Sequence, residues 1–181
     1  MAEWLKAKYL NSGERLRGML REQIGELLLK LLFLRMPVEI RRVGVGVGSA
    51  EYTPATYTGI GDKFDYAIVY RGRRVYVEVT GSPLPKRESI KRFGRAYIGI
   101  LPDKQRLALE AWSRGTPVYY LLVNEAEGEL LFVRPQIVEK YAKPGYWAAG
   151  EKPYLLLPWR RNLMATPYDF HRTARLWLFG R

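Results

Sequence analysis

Two acidic residues stand close together in the chain, each inside an otherwise apolar stretch. Asp65 lies in residues 64–70, and Glu78 lies between two valines in residues 74–80. A carboxylate in such a stretch needs a partner, because burying it unpaired costs several kcal/mol. Both stretches are rich in Val, Ile and Tyr, and the short glycine-containing connection at 71–73 predicts a β-hairpin.

The pairing register of this hairpin decides whether the two carboxylates meet. Side chains alternate faces along a strand, so Glu78 and Thr80 share one face. If Ala67 lies opposite Glu78, Asp65 lies opposite Thr80 and diagonal to Glu78, about 7 Å away at the backbone. That separation suits two carboxylates that hold one Mg²⁺ or Mn²⁺ ion through oxygen atoms. A slip of one residue would put the carboxylates on opposite faces.

The elements that would position this hairpin are readable from hydrophobic spacing. An amphipathic helix is predicted over 12–35, since leucine and isoleucine recur there at steps of three and four. The apolar stripe consists of Leu16, Leu20, Ile24, Leu27, Leu31 and Leu34. Further predicted elements are a strand over 38–43, helices near 86–95 and over 103–113 with Asp103 as N-cap, antiparallel strands over 118–123 and 130–133, and a helix near 168–178. This order predicts an α/β fold with a mixed sheet flanked by helices.

The last forty residues change character, because prolines and tryptophans replace periodic apolar spacing. We therefore expect two parts, a domain over 1–141 and an aromatic, proline-rich C-terminal extension over 142–181 that packs on it. His171 within this extension is most simply a packing residue.

Charge and composition narrow the function. The chain has 181 residues, 30 Lys and Arg against 18 Asp and Glu, a net charge of +12, one His and no Cys. These counts exclude disulfides, thiolate metal sites and multi-histidine zinc sites. The positive charge favours a polyanionic partner, and nucleic acid is the natural one. No stretch is long and apolar enough to span a membrane, so we expect a cytoplasmic protein without a membrane partner. The composition also suits a thermophile.

Two basic segments are candidates for contacts with nucleic acid. The first is a cluster near the 86–95 helix and the second adjoins Trp159. The residues are Lys86, Arg87, Lys91, Arg92 and Arg95 in the first segment, and Arg160 and Arg161 in the second. Arginine interleaved with aromatic side chains can grip a phosphate backbone and stack on bases. Runs of charge on a solvated face, or arginine stems lying on core aromatics, are the alternatives.

At this point the residues resemble a known family. Asp65, a short hairpin and Glu78-Val79-Thr80 look like the Asp…(Asp/Glu)-x-Lys pattern of the restriction-endonuclease-like nucleases, to which archaeal Holliday-junction resolvases belong. The order of elements over about residues 14–141 fits that family as well. The resemblance implies a metal-dependent nuclease that hydrolyses phosphodiester bonds in DNA, with Mg²⁺ or Mn²⁺ as cofactor, and it implies an archaeal setting. Many members of that family form homodimers, and the sequence leaves the oligomeric state open between a monomer and a homodimer.

The resemblance also assigns roles residue by residue. Asp65 and Glu78 would be metal ligands, with the backbone carbonyl of Val79, and Glu26 matches an acidic residue that some members place on the first helix. Thr80 stands where the family has its catalytic Lys. Lys63 is the first candidate to replace that Lys, since it points to the same strand face as Asp65. Lys104 is the second candidate, and Lys86 is a third.

Each of these acidic residues also has a simpler, non-catalytic interpretation. Glu26 has the spacing for a surface ion pair with Lys30. Asp65 could cap a turn, and Glu78 could bond backbone amides or an arginine. A non-catalytic nucleic-acid-binding protein that has lost the Lys is therefore an alternative to the nuclease, and a structural subunit is another.

Overall fold

The computed structural model describes residues 12–44, 64–81, 86–124, 127–146 and 153–180, without the side chains of residues 12–15. The elements in chain order are α1 (Ser12–Leu32), β1 (Glu39–Arg42), β2 (Tyr66–Tyr70), β3 (Arg73–Gly81), α2 (Lys86–Phe93), β4 (Tyr97–Ile100), α3 (Pro102–Ser113), β5 (Val118–Asn124), β6 (Glu129–Val133), α4 (Pro135–Tyr141), β7 (Lys143–Gly145), β8 (Tyr154–Pro158), a 3₁₀ turn (Arg161–Leu163) and α5 (Pro167–Phe179).

Five strands form a mixed sheet in the order β1-β2-β3-β5-β6. Neighbouring strands are antiparallel except β3 and β5, which are parallel. A parallel pair needs a crossover, and the chain makes it through α2, β4 and α3. The structure confirms the predicted mixed sheet. A second sheet, in the order β4-β8-β7, was not predicted from the sequence.

Apolar side chains cover both faces of the five-stranded sheet. On one face, Tyr120 of β5 belongs to the same buried cluster as Leu107 of α3. On the other face, Leu121 clusters with Leu29 of α1 and Phe170 of α5. Each such fully buried side chain contributes about 1.5–3 kcal/mol, so the helices are held to the sheet mainly by these two layers. The fold is the expected α/β class with helices on both faces.

A two-residue turn joins β2 to β3. Arg71 and Gly72 have φ angles of 46° and 83°. Two successive positive φ angles are what a type I′ hairpin turn requires, and glycine adopts them without strain. The turn pairs Tyr70 with Arg73 and thereby sets the register of the whole hairpin.

This register differs from the expected one by two residues. Ala67 lies opposite Tyr76, so the expectation that it lies opposite Glu78 is wrong, because the turn is shorter than that pairing requires. A shift of two keeps every side chain on its predicted face. Continued beyond the end of β2, the observed register brings Asp65 directly opposite Glu78 rather than opposite Thr80.

The buried face of α1 also differs from the predicted one. The stripe residues Leu16, Leu20, Leu27, Leu31 and Leu34 are between 46% and 67% exposed. Glu22, Gly25, Leu29 and Phe33 face the interior instead. A β-carbon at Gly25 would stand 2.7 Å from Cγ2 of Val79, so the missing side chain lets the helix approach β3. Apolar spacing alone cannot show this, since it counts neither glycine nor a buried glutamate.

Two helix boundaries differ from expectation. The first helix ends at Leu32 rather than at residue 35, and Arg35 adopts a left-handed φ of 68°. The third helix begins at Pro102 with Leu101 as N-cap, so Asp103 lies in the first turn and is not the cap. Proline is favoured at the first helical position because its fixed φ suits a helix and its missing N–H is not needed there.

The C-terminal segment is more regular than an extended tail. It contributes β7, β8 and α5, and α5 begins with a capping box in which Thr166 and Asp169 bond each other's backbone N–H groups. Phe170 of α5 stacks on Phe132 with ring centroids 3.9 Å apart. The boundary between two parts at residue 141 stays a prediction. A search of the described helices finds none that could cross a membrane.

Candidate active site

Asp65 lies immediately before β2 and is held from two sides. Its backbone carbonyl accepts a hydrogen bond of 3.0 Å from the N–H of Val43, the residue that follows β1. Its carboxylate accepts a hydrogen bond of 2.7 Å from the N–H of Val79 on β3. The second bond fastens the carboxylate to the backbone of the neighbouring strand, one residue beyond Glu78.

The carbonyl of Val79 faces the same side of β3 as this bond. The N–H of Tyr76 donates to Pro117 beside β5, so the backbone groups of every second residue from Tyr76 point towards β5. Those of Val79 therefore point the other way, towards β2, because N–H and C=O of one strand residue lie on the same edge. The carbonyl of Val79 and the carboxylate of Asp65 thus share one edge of the strand.

Glu78 is bound by a lysine from the crossover. Its side chain is only 12% exposed, and Nζ of Lys104 lies 3.0 Å from each carboxylate oxygen. Lys104 comes from the first turn of α3. Burial raises the pKa of the neighbouring Tyr120 hydroxyl, and the charge of Glu78 raises it further.

The structure separates the three candidates for the missing family Lys. Lys104 reaches the site, and Lys86 does not bond Glu78 but lies between Glu127 and Glu129. Lys63 lies outside the described residues. Thr80 is half-buried on the same strand face as Glu78.

A buried glutamine follows Lys104 in the first turn of α3 and was not predicted from the sequence. Gln105 is 3% exposed. Its amide donates to the carbonyl of Pro135 at 2.8 Å and accepts from the Tyr120 hydroxyl at 3.0 Å. These bonds tie the first turn of α3 to β5 and α4. The available signal was a polar residue two positions before the apolar pair at 107 and 108.

Glu26 is paired with Lys30 at 2.6 Å, as its spacing allows, and its side chain is 35% exposed. Its catalytic role stays a prediction. One turn earlier, the buried Glu22 forms an ion pair with Arg42. Burial raises the pKa of Tyr66, and the charge of Glu26 raises it further, so Glu26 lies within electrostatic range of this hydroxyl.

The two basic segments meet at one glutamate. Glu129 at the start of β6 pairs with Lys86 at 2.7 Å and with Arg161 at 2.6 Å. Burial opposes ionisation of Glu129, but the two cations lower the pKa of its carboxyl below the usual value. Lys86 also lies 5.0 Å from the ring centroid of Trp159. The remaining predicted contacts, Arg87, Lys91, Arg92, Arg95 and Arg160, are exposed.

Sequence comparison supplies the family. A family model described as a viral/archaeal nuclease matches residues 4–153. The chain belongs to this nuclease family. Uncharacterized protein D-244 of Sulfolobus spindle-shape virus 1 is 27% identical over 117 residues, which are 59% of this chain and 48% of that protein. The chain therefore spans about half the length of this curated relative.

Two solved structures resemble this family member in fold. D212, a nuclease from a fusellovirus, has a TM-score of 0.60 and 19% identity, and the match covers 90% of this chain and 95% of that one. Hjc, a Holliday junction resolvase from Archaeoglobus fulgidus, has a TM-score of 0.50 and 12% identity over 85% of this chain and 99% of that one. These matches confirm the predicted restriction-endonuclease-like fold.

The donor set of this nuclease-family chain suits a hard cation. In the part of the chain that the structure describes, no group of three or more acidic or histidine side chains converges as a metal cluster. The oxygens available at the hairpin are the carboxylates of Asp65 and Glu78 and the carbonyl of Val79. Carboxylate and carbonyl oxygens are the ligands that Mg²⁺ and Mn²⁺ prefer. The residues present therefore fit the cofactor expected from the resemblance.

Proposed function

We propose that this chain is a metal-dependent nuclease that hydrolyses phosphodiester bonds in DNA. Asp65, Glu78 and the carbonyl of Val79 would hold Mg²⁺ or Mn²⁺. The observation that carries the proposal is the bond from the Val79 N–H to Asp65, because it sets one carboxylate beside the residue that follows the other. Family membership supports the same conclusion.

The reaction sets the tasks of the protein's own groups. The oxygen of a water molecule bonds to phosphorus, the phosphorus–oxygen ester bond breaks, and the departing oxygen gains a proton. When bound, a divalent ion polarises a phosphoryl oxygen and lowers the pKa of water. Asp65 and Glu78 supply the negative charge that retains such an ion.

Lys104 takes the role of the missing family Lys in this proposal. Its ammonium lies 3.0 Å from Glu78, so a phosphate oxygen bound beside Glu78 would lie within its reach. A fixed cation aimed at a phosphate that gains charge during the reaction stabilises the transition state. Thr80 can bond a water molecule but adds no charge.

The exposed cations of α2 and the 3₁₀ turn support DNA as the substrate. Lys86 and Arg161 converge on Glu129, which lies next to the end of β5. Since β3 and β5 are parallel, their carboxyl ends lie at the same end of the sheet as Glu78. Exposed arginines here would contact the phosphates that flank the cleaved bond.

A cleavage assay tests the proposal. Plasmid and oligonucleotide DNA are incubated with the full chain and Mg²⁺ or Mn²⁺. We expect Asp65→Ala and Glu78→Ala each to reduce the rate by more than about 100-fold, since each removes a charge on which the reaction depends. The matched control is Glu39→Ala, whose exposed carboxylate pairs with Arg41 on β1. If Asp65→Ala and Glu78→Ala cleave as fast as Glu39→Ala and the unmodified chain do, the proposal is overturned.

One observation favours a second function, binding of nucleic acid without cleavage. Thr80 replaces the family Lys, and Lys104 already engages both oxygens of Glu78. In that case, salt-dependent DNA binding would persist while no cleavage occurs with either metal. Absence of DNA binding at low salt would favour the structural subunit instead.

We also propose a homodimer and a thermophilic, archaeal setting inside the cytoplasm. The exposed leucines of α1 support the dimer, because Leu27 and Leu31 are each 60% exposed on one helix face. Apolar patches of this kind often mark interaction surfaces. The named relatives, a Sulfolobus virus protein and an Archaeoglobus resolvase, support the setting.

A further inference from the structure

Helix α1 runs antiparallel to β3. Their close contacts involve one glycine of the helix, Gly25, and one glycine of the strand, Gly81. Gly25 of the helix lies against Val79, as the close approach of its backbone shows. Arg21, one turn earlier, lies against Gly81, the last residue of the strand. Moving towards the helix N-terminus therefore means moving towards the carboxyl end of the strand.

Gly81 makes room for the Arg21 side chain. A β-carbon at Gly81 would stand 2.7 Å from both Cδ and Cζ of Arg21, closer than side-chain carbons approach each other. The guanidinium therefore lies across the backbone of the strand end. The stem of Arg21 is half-buried, so much of its rotamer freedom is already lost in the folded protein.

The position of this guanidinium relative to Glu78 is set by the strand. Three residues separate Glu78 from Gly81, about 10 Å along a β-strand. DNA places one phosphate per strand about every 3.4 Å of helix axis. Glu78 and Gly81 face opposite sides of the sheet, so a DNA strand cleaved at Glu78 would reach Arg21 by passing around the carboxyl end of β3, over about three nucleotides or more.

We propose that Arg21 binds a backbone phosphate of the DNA strand that is cleaved. This rests on the proposed function, because it assumes that DNA lies at Glu78. Arg21 would grip the strand from the α1 side of the sheet, while the cations of α2 lie beyond the carboxyl end of β3. A guanidinium binds phosphate through two parallel N–H bonds, a geometry that lysine cannot reproduce.

The test measures DNA affinity without cleavage. Fluorescence anisotropy with labelled duplex DNA in EDTA gives Kd for the full chain at several salt concentrations between about 50 and 200 mM. Arg21→Ala should weaken binding and reduce the slope of log affinity against log salt by about 0.9, the value for one lost phosphate contact. Gly81→Ala should weaken binding although no charge is lost, since the new methyl group displaces the guanidinium.

The matched control is Arg175→Ala, an exposed arginine on α5. This helix contacts the start of β3, where Nη1 of Arg73 donates to the carbonyl of Trp177. The start of β3 is about 26 Å from Gly81 along the strand, so this control removes the same charge at a distance. Arg21→Lys serves as the second variant and should retain the salt slope while losing part of the affinity.

The outcomes separate the two proposals. If the unmodified chain binds DNA but Arg21→Ala changes the slope no more than Arg175→Ala does, the Arg21 assignment is wrong and the proposed function stands. If the unmodified chain binds no DNA at the lowest salt, both proposals fall. A fall in melting temperature with an unchanged salt slope would show that Arg21 only braces the strand end.

Discussion

Removing the ammonium of Lys104 should affect cleavage and metal binding in opposite directions. At 3.0 Å from Glu78, its gross Coulomb energy is about 5 to 6 kcal/mol at an effective dielectric constant of about 20. Desolvation cancels much of this, and a hydrogen bond between charged groups contributes about 1.5–3 kcal/mol net. We therefore expect Lys104→Ala to lower the free energy of unfolding by about 1.5–3 kcal/mol.

The loss of transition-state stabilisation in Lys104→Ala should exceed its loss of folding stability. If Lys104 stabilises charge on the phosphate, its removal should lower kcat by about 10²–10³-fold. Metal binding should become tighter, because a nearby cation no longer repels the ion. Repulsion at about 4 Å in water is about 1 kcal/mol per unit charge, so a divalent ion should bind at least about tenfold more tightly.

Two assays on one protein preparation test this prediction. Single-turnover cleavage gives the rate, and calorimetric titration with Mn²⁺ gives the metal affinity. Arg106→Ala is the control, since this exposed arginine lies on the same helix and pairs only loosely with Glu110 at 3.9 Å. If Lys104→Ala cleaves at the full rate with unchanged Mn²⁺ affinity, the lysine is a structural partner of Glu78 and the reasoning fails.

Three further predictions follow from other contacts. Gln105→Leu should lower the free energy of unfolding by about 1–3 kcal/mol in urea titrations, because the Tyr120 hydroxyl and a backbone carbonyl lose their partner; an unchanged midpoint would contradict the buried network. Leu31→Glu should convert a dimer to a monomer in light scattering without loss of fold, since Leu31 is 60% exposed, and an unchanged mass would place the interface elsewhere. Burial and Arg175 lower the pKa of His171 from its ordinary 6.5, so the unfolded chain binds more protons and stability should fall as pH drops below about 6.5; His171→Gln should remove this part of the pH dependence of the melting temperature.

The hairpin was predictable because its signals are local. A carboxylate between valines and a short glycine turn pointed to Glu78 and to its strand. The exact register was not predictable, since it depends on whether the turn has two residues or more. Arg71 has a positive φ, which few non-glycine residues adopt, and nothing in the sequence predicts it.

The contacts between residues far apart in the chain could not be predicted from the sequence. Lys104 was one of three candidate lysines, and only the crossover through β4 and α3 brings it to Glu78. The leucine stripe of α1 was misassigned because the helix contacts the sheet through Gly25. The small sheet was missed, since β7 and β8 are short strands that contain proline. Tertiary contacts override local preference in each of these places.

The proposed nuclease depends on one divalent ion that Asp65, Glu78 and the carbonyl of Val79 share. Anomalous diffraction from crystals of the full chain soaked in Mn²⁺ tests it most directly. We expect a single strong peak within bonding distance of both carboxylates and that carbonyl. A peak at other residues, or Lys104 still bonded to Glu78 with no peak at saturating Mn²⁺, would contradict it.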